Sequence, residues 1–219
     1  MKVKLLTGPE LAQALQVSPT IREALRILET ARLIDSFRGP SGGTFVRQPS
    51  HHHIVEFIRD SLIILVNSES VKLGTLLETR ELVELPAAEI AAKKRTRADL
   101  ERMRKSLLPT DFTGLSPVQL KSAVLMFHQA IAAATRNPLI EIFVASLQSV
   151  YQVFLLRWNL THDFIANVIS QHEAIYEAIR REHPAEARSA MHEHIAYLKK
   201  MLPHMRLYMK DFRDESADF

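Results

Sequence analysis

Three of the chain's ten histidines stand where helical spacing turns their side chains inward. His128 falls between Val124 and Ile131, His172 between Val168 and Ile175, and His194 between Ala190 and Leu198, each on an apolar stripe. His172 and His194 lie eleven residues either side of His183-Pro184. At about 1.5 Å of rise per residue, both stand roughly 16 Å from that turn, so in an antiparallel helix pair the two imidazoles face each other. A lone inward histidine reads as a hydrogen-bonded core residue; three together also read as a metal site. Neutral imidazoles suit a divalent transition metal such as Zn or Ni, and three of them leave a coordination position open. Arg80 and Glu84 are the second group with chemistry to offer. They share a stripe with Leu73, Leu76, Leu77 and Ala87, which aims two charges one turn apart into the protein. Buried charges need partners. Either they pair with each other along the helix, or Arg80 clamps a carboxylate ligand with its two-pronged guanidinium.

The elements that hold these residues follow from punctuation and period. Thr7 and Glu10 have capping-box spacing at the head of a short helix reaching about Leu15. Ser18 is an N-cap with Pro19 at the first position of a second helix, whose stripe Ile21, Leu25 and Leu28 leaves Thr20, Arg22, Glu23 and Arg26 outside. Arg38-Gly39-Pro40-Ser41-Gly42-Gly43 is then a tight turn between strands near 34–38 and 43–47. Two helices and a hairpin in this order make a winged helix-turn-helix over residues 1–48. Gln48-Pro49-Ser50 is the linker, and His51-His52-His53 a solvated helix start, because consecutive helical residues do not face one point. From residue 54 the period is helical, broken at Pro109-Thr110, Gly114, Asn137-Pro138, Asn159 and His183-Pro184. The fold class is therefore mostly α, with an antiparallel bundle of six or seven helices over residues 52–215. Pro86 is expected to kink the helix that carries Arg80.

Composition narrows the function classes. The 219 residues are 47% hydrophobic and 24% charged, values of a globular protein. With no cysteine there is no disulfide framework, thiolate metal site or cysteine nucleophile. The longest purely apolar run, Leu62 to Val66, is far below the roughly 20 residues of a membrane helix, and no signal-peptide core begins the chain. A cytoplasmic protein with no membrane partner is expected. The net charge of +3 sits wholly in residues 1–50, where Lys2, Lys4, Arg22, Arg26, Arg32, Arg38 and Arg47 face four acids. A basic head on a neutral body suits a polyanion such as DNA.

The stretch Glu10-Leu11-Ala12, Val17-Ser18, Arg22 through Glu29, Leu33-Ile34, Arg38-Gly39, Gly42-Gly43 and Phe45-Val46 resembles the winged helix of the GntR family of bacterial transcription regulators. Downstream, Phe127-His128-Gln129-Ala130-Ile131, Asn137-Pro138-Leu139 and His172, Ile175, Ala178-Ile179, Ala187, Met191, His194 resemble the FadR-type effector domain, called FCD. The resemblance covers roughly residues 8–48 and 70–212, in the family's order. It implies a homodimeric repressor or activator that places a recognition helix in the major groove of operator DNA and binds a small carboxylate metabolite, often on a metal ion. On that reading Thr20, Arg22, Arg26, Arg38, Gly42 and Gly43 meet DNA. Arg80, Glu84 and Asn137 meet the effector, and His128, His172 and His194 hold the metal.

The chain departs from the family at several points. The helix that usually precedes the first one seen here is expected to be missing. Pro9 replaces the usual arginine before Glu-Leu, and Ser18-Pro19 replaces a Ser-Arg pair, one residue shorter before Arg22. Two DNA-contacting arginines are thereby lost, worth about 1–3 kcal/mol each. Val124 stands where the family has a metal-binding aspartate, which weakens the metal site. The alternative is an effector-binding or interaction protein with an impaired head. A metal-dependent hydrolase would need a general base beside an open metal, and the sequence sets none there.

Overall fold

The computed structural model describes residues 3–16, 20–30, 33–37, 39, 42–47, 50–156 and 161–215; the side chains of residues 117, 121, 156 and 204–215 are excluded. Two compact units divide the chain, residues 1–54 and 55–219.

In the first unit, α1 (Gly8–Ala14) is opened by Glu10, whose carboxylate accepts from both the backbone N–H and the hydroxyl of Thr7. α2 (Thr20–Thr30) turns Ile21, Ala24, Leu25 and Leu28 partly inward and leaves Thr20, Arg22, Glu23 and Arg26 exposed. β1 (Ile34–Phe37) pairs antiparallel with β2 (Gly43–Val46), Ile34 opposite Val46 and Phe37 opposite Gly43. Gly43 has φ +146°, and a Cβ there would run into the Lys4 side chain. One pairing goes beyond the sequence expectation: Leu5 N–H donates to Thr44 O at 2.7 Å and Val46 N–H to Val3 O at 2.8 Å, so residues 3–5 extend the hairpin. Val3-Lys4-Leu5 alternates as a strand does, but three residues are too short a run to be read as one. Ile34 is the single fully buried hydrophobe of this unit among the described residues, whereas Val3, Leu6, Leu15, Ile27 and Phe37 are exposed. The expected N-cap Ser18-Pro19, the wing residue Arg38 and the linker residues Gln48-Pro49 lie outside the described residues.

The rest is helical: α3 (His51–Asn67), α4 (Leu73–Lys94), α5 (Arg97–Ser106), α6 (Pro117–Ala134), α7 (Pro138–Leu156), α8 (His162–Arg180) and α9 (Pro184–Glu215). Within the second unit α4 packs against α6, α7, α8 and α9, so its residues lie at the bundle's centre. α4 runs unbroken through Pro86. Side chains tie the helix ends together. Arg95 donates to the carbonyls of Ile179 and Arg180, capping α8, while Arg136 donates to Ala133 O and pairs with the buried Asp99 of α5. Pro138–Leu155 has the length and mean hydropathy, 1.4, of a bilayer-crossing helix, which the shorter apolar run near residue 62 did not reveal. Half of it is buried in the bundle, and it carries the buried polar residues Ser146 and Gln148.

Candidate functional site

α6, α8 and α9 bring His128, His172 and His194 together at 1%, 2% and 0% exposure. Their ring centroids are 4.8–5.2 Å apart, and one nitrogen from each lies within 4.8 Å of the others. The α8–α9 turn sets the level of two of them as the residue count required. It closes with Glu182 in the left-handed region, φ 58°, and His183 N–H donating to Ala178 O. His194 Nδ1 is 2.9 Å from Gln171 Oε1, which holds the proton on Nδ1 and leaves Nε2 as a lone pair. Nε2 of His172 and of His194 are buried without a hydrogen-bond partner among the described residues. Burial drives the basicity of all three rings down, and in His172 and His194 neighbouring histidines and Arg80 add to it, so each imidazole is neutral near pH 7. Buried, neutral and convergent imidazoles, two of them with an unpartnered Nε2, fit a divalent transition metal. A tetrahedral ion with bonds of about 2.1 Å sets its nitrogens roughly 3.4 Å apart, so the cluster would contract around it.

Arg80 and Glu84 reach the same place from α4. Both are fully buried, with Arg80 Nε 2.7 Å from Glu84 Oε1 and Nη2 3.3 Å from Oε2. The intrahelical pairing is thus realised in the middle of α4. Gln148 of α7 donates to Glu84 Oε1 at 3.0 Å, and the guanidinium lies 5.1 Å over the Tyr151 ring. Oε2 of Glu84 is 2.6 Å from His128 Nδ1, although off the direction of that nitrogen's hydrogen, and Arg80 Nη2 is 3.4 Å from His128 Nε2. Burial resists ionising Glu84, but the Arg80 charge and its hydrogen bonds outweigh it and hold the carboxyl well below its ordinary range. Gln148 and Gln171 escaped sequence reasoning. Gln148 interrupts the apolar stripe Val144, Leu147 and Tyr151, a readable signal; Gln171 left none.

Beside the cluster lies a cavity of about 20 Å³ whose lining includes Val124, Tyr151, Phe164, Val168 and His194. That holds about one water, whereas small-molecule pockets run to a few hundred Å³. Val124 presents an apolar wall there. Asn137, expected at the effector, is instead exposed in the α6–α7 turn, where its Oδ1 accepts from Leu139 N–H; as the i+2 acceptor it caps α7.

In the first unit, Thr20 and Arg22 are exposed at the start of α2, and Arg22 makes no ion pair among the described residues. Arg26 is different from the expectation of a free contact: its Nη2 and Nε pair with Glu23 at 2.7 and 3.0 Å, because the two are one turn apart on the same face. Gly42 and Gly43 are partly buried at the wing's second strand.

Residues 75–197 match the model of the FCD domain family. The chain is 29% identical over 208 residues to the HTH-type transcriptional regulator LutR of Bacillus subtilis, covering 91% of each chain. It is 31% identical over 214 residues to the Uxu operon regulator of Haemophilus influenzae, covering 91% of this chain and 73% of that one. Among solved structures, Streptococcus agalactiae GntR aligns with a TM-score of 0.63 at 24% identity over 91% of this chain and 90% of its own. Escherichia coli McbR/YncC aligns at 0.51 and 16% identity, over 97% and 90%.

Proposed function

Since this chain belongs to the GntR family of transcription regulators, in the branch that carries an FCD domain, a family of regulators and not enzymes, we propose that it is a cytoplasmic, homodimeric, metabolite-responsive regulator. Residues 1–48 bind operator DNA, and residues 52–215 bind a small carboxylate. The observation that carries this reading is the conjunction in one chain of an exposed Arg22 opening α2, without an ion pair among the described residues, with a buried, convergent set of neutral histidines and a buried arginine.

Each part has a physical role. Thr20 and Arg22 sit at a helix N-terminus, which favours phosphate and brings side chains to base edges. The wing supplies Arg38, Gly42 and Gly43. In the bundle, His128, His172 and His194 hold a divalent metal such as Zn or Ni through neutral nitrogens, and Arg80 binds the effector carboxylate by exchanging its long Nη2 contacts for it. When bound, the metal supplies a positive centre with an open position for a carboxylate oxygen. The side chains lining the small cavity move apart to admit the effector. Effector binding then changes DNA affinity by its differential affinity for the two states of the protein, whichever sign the regulation takes.

The test loads the full-length protein with Zn(II) and measures Kd for duplex DNA from beside its own gene while small carboxylates are added one at a time. The expected result is a carboxylate that shifts the Kd of the wild type and leaves Arg80→Met unmoved; indifference to every carboxylate would refute the responsive part. The reading of an effector-binding protein with an impaired head draws on the Glu23–Arg26 pair. It requires that this duplex bind no better than a scrambled one.

A further inference from the structure

We propose that Glu84 is the positioning residue of the histidine cluster: it fixes the proton of His128 on Nδ1, so that Nε2 faces the metal position, and it tethers Arg80 against that same Nε2. The inference rests on the metal reading above and goes beyond it by assigning the carboxylate that governs the site.

Two contacts from one ion pair bear on the His128 tautomer. A carboxylate only accepts, so Glu84 Oε2, 2.6 Å from Nδ1 although off the direction of that nitrogen's hydrogen, is served by a hydrogen there once the ring turns toward it. A guanidinium only donates, so Arg80 Nη2 at 3.4 Å from Nε2 calls for a lone pair there. Both give the neutral Nδ1–H form, matching the one His194 takes through Gln171. His128 and His194 then both offer Nε2, beside the buried, unpartnered Nε2 of His172. Glu84 can hold this arrangement because its other oxygen accepts from Arg80 Nε at 2.7 Å and from Gln148 Nε2 of α7 at 3.0 Å, and the second bond stays when Arg80 is replaced. An acceptor behind a metal-binding imidazole raises its basicity and sets its ring orientation, and losing one typically costs 10–100-fold in metal affinity. No other carboxylate contacts the three histidines among the described residues; Val124, one helical turn from His128, is apolar.

Arg80 acts with the opposite sign. Its guanidinium is a fixed positive charge beside a ligand nitrogen and a donor to the lone pair that a metal needs, so it opposes metal binding while Glu84 favours it. A purely structural ion pair behaves otherwise, because removing either partner leaves the other charge buried and loosens the site alike.

Isothermal titration of the full-length protein with Zn(II) tests this, with thermal melts reporting the fold of each variant. Glu84→Gln is expected to weaken Zn(II) by about 10–100-fold, and Arg80→Met to tighten it. Should Glu84→Gln fail to fold, Arg80→Met/Glu84→Gln is measured against Arg80→Met, and the same weakening is expected. Val124→Asp in the Glu84→Gln background sets a carboxylate on the His128 face of α6 and is expected to restore affinity. Unchanged affinity in Glu84→Gln, or equal weakening in both single variants, overturns the role of Glu84 and leaves the metal site standing. Failure of the wild type to bind Zn(II) overturns both.

Discussion

Neutral, buried imidazoles make the second unit sensitive to acid. In the unfolded chain His128, His172 and His194 take up protons near their ordinary pKa of about 6.5, whereas in the folded chain burial holds all three below it. The unfolded state thus binds more protons below that pH, and stability present above about pH 6.5 is lost as the pH falls, by up to about 1.4 kcal/mol per pH unit for each ring. Thermal melts from pH 7.5 to 5.5 are expected to show a steep fall in Tm that His172→Phe reduces; a Tm flat over this range would contradict neutral rings. The inward stripe and the His172–His194 meeting were legible in the sequence, since one turn and a constant rise fix both heights. The contact of Glu84 with His128 was not. It depends on how α4 and α6 are rotated about their axes, which neither helix's own spacing encodes.

At the scale of elements, caps and inter-helix ties hold the site's scaffold. Thr96 accepts from Asp99 N–H, and the Asp99 carboxylate accepts in turn from the backbone and hydroxyl of Thr96 and from Arg136. Burial alone would raise the Asp99 pKa, but these hydrogen bonds and the Arg136 charge pull it down to about 2 from 3.8. A lowered carboxyl contributes stability that is complete above its unfolded pKa and is lost as the pH falls through its folded one. Asp99→Asn is therefore expected to cost about 2 kcal/mol at pH 7, with the gap to wild type closing between about pH 4 and pH 2. Denaturant titrations at both ends check this, and a gap that persists at pH 2 would contradict it. The helices and hairpin could be read from local marks such as Thr7-x-x-Glu10, Ser116-Pro117 and the glycines at 42 and 43. The pairing of residues 3–5 with β2 could not, because its partners are some forty residues away. The Glu23–Arg26 pair was within reach, as opposite charges three apart on a helix meet.

Across the whole molecule the two units differ sharply in what they bury. The first has Ile34 as its one fully buried hydrophobe among the described residues, while the second buries a continuous core from Leu73 to Leu198. A unit of about 54 residues with so small a core is marginal. Calorimetry is expected to show two transitions, the lower belonging to the first unit and moving upward when specific DNA is added. A single transition would contradict independent stability of the two. The family was legible because two motif sets occur in order along one chain; effector identity was not, because the cavity's walls are mostly apolar and carry no pattern of ligand groups. The most direct test is a DNA titration at two salt concentrations, with duplex from beside the protein's own gene against a scrambled duplex, for wild type, Arg22→Ala and Arg26→Ala. Preference for the native duplex is expected, with Arg22→Ala costing about 1–3 kcal/mol and Arg26→Ala much less, because Glu23 already occupies its guanidinium. Equal, weak and steeply salt-dependent binding to both duplexes, untouched by Arg22→Ala, would contradict a DNA-binding regulator and leave only charge attraction.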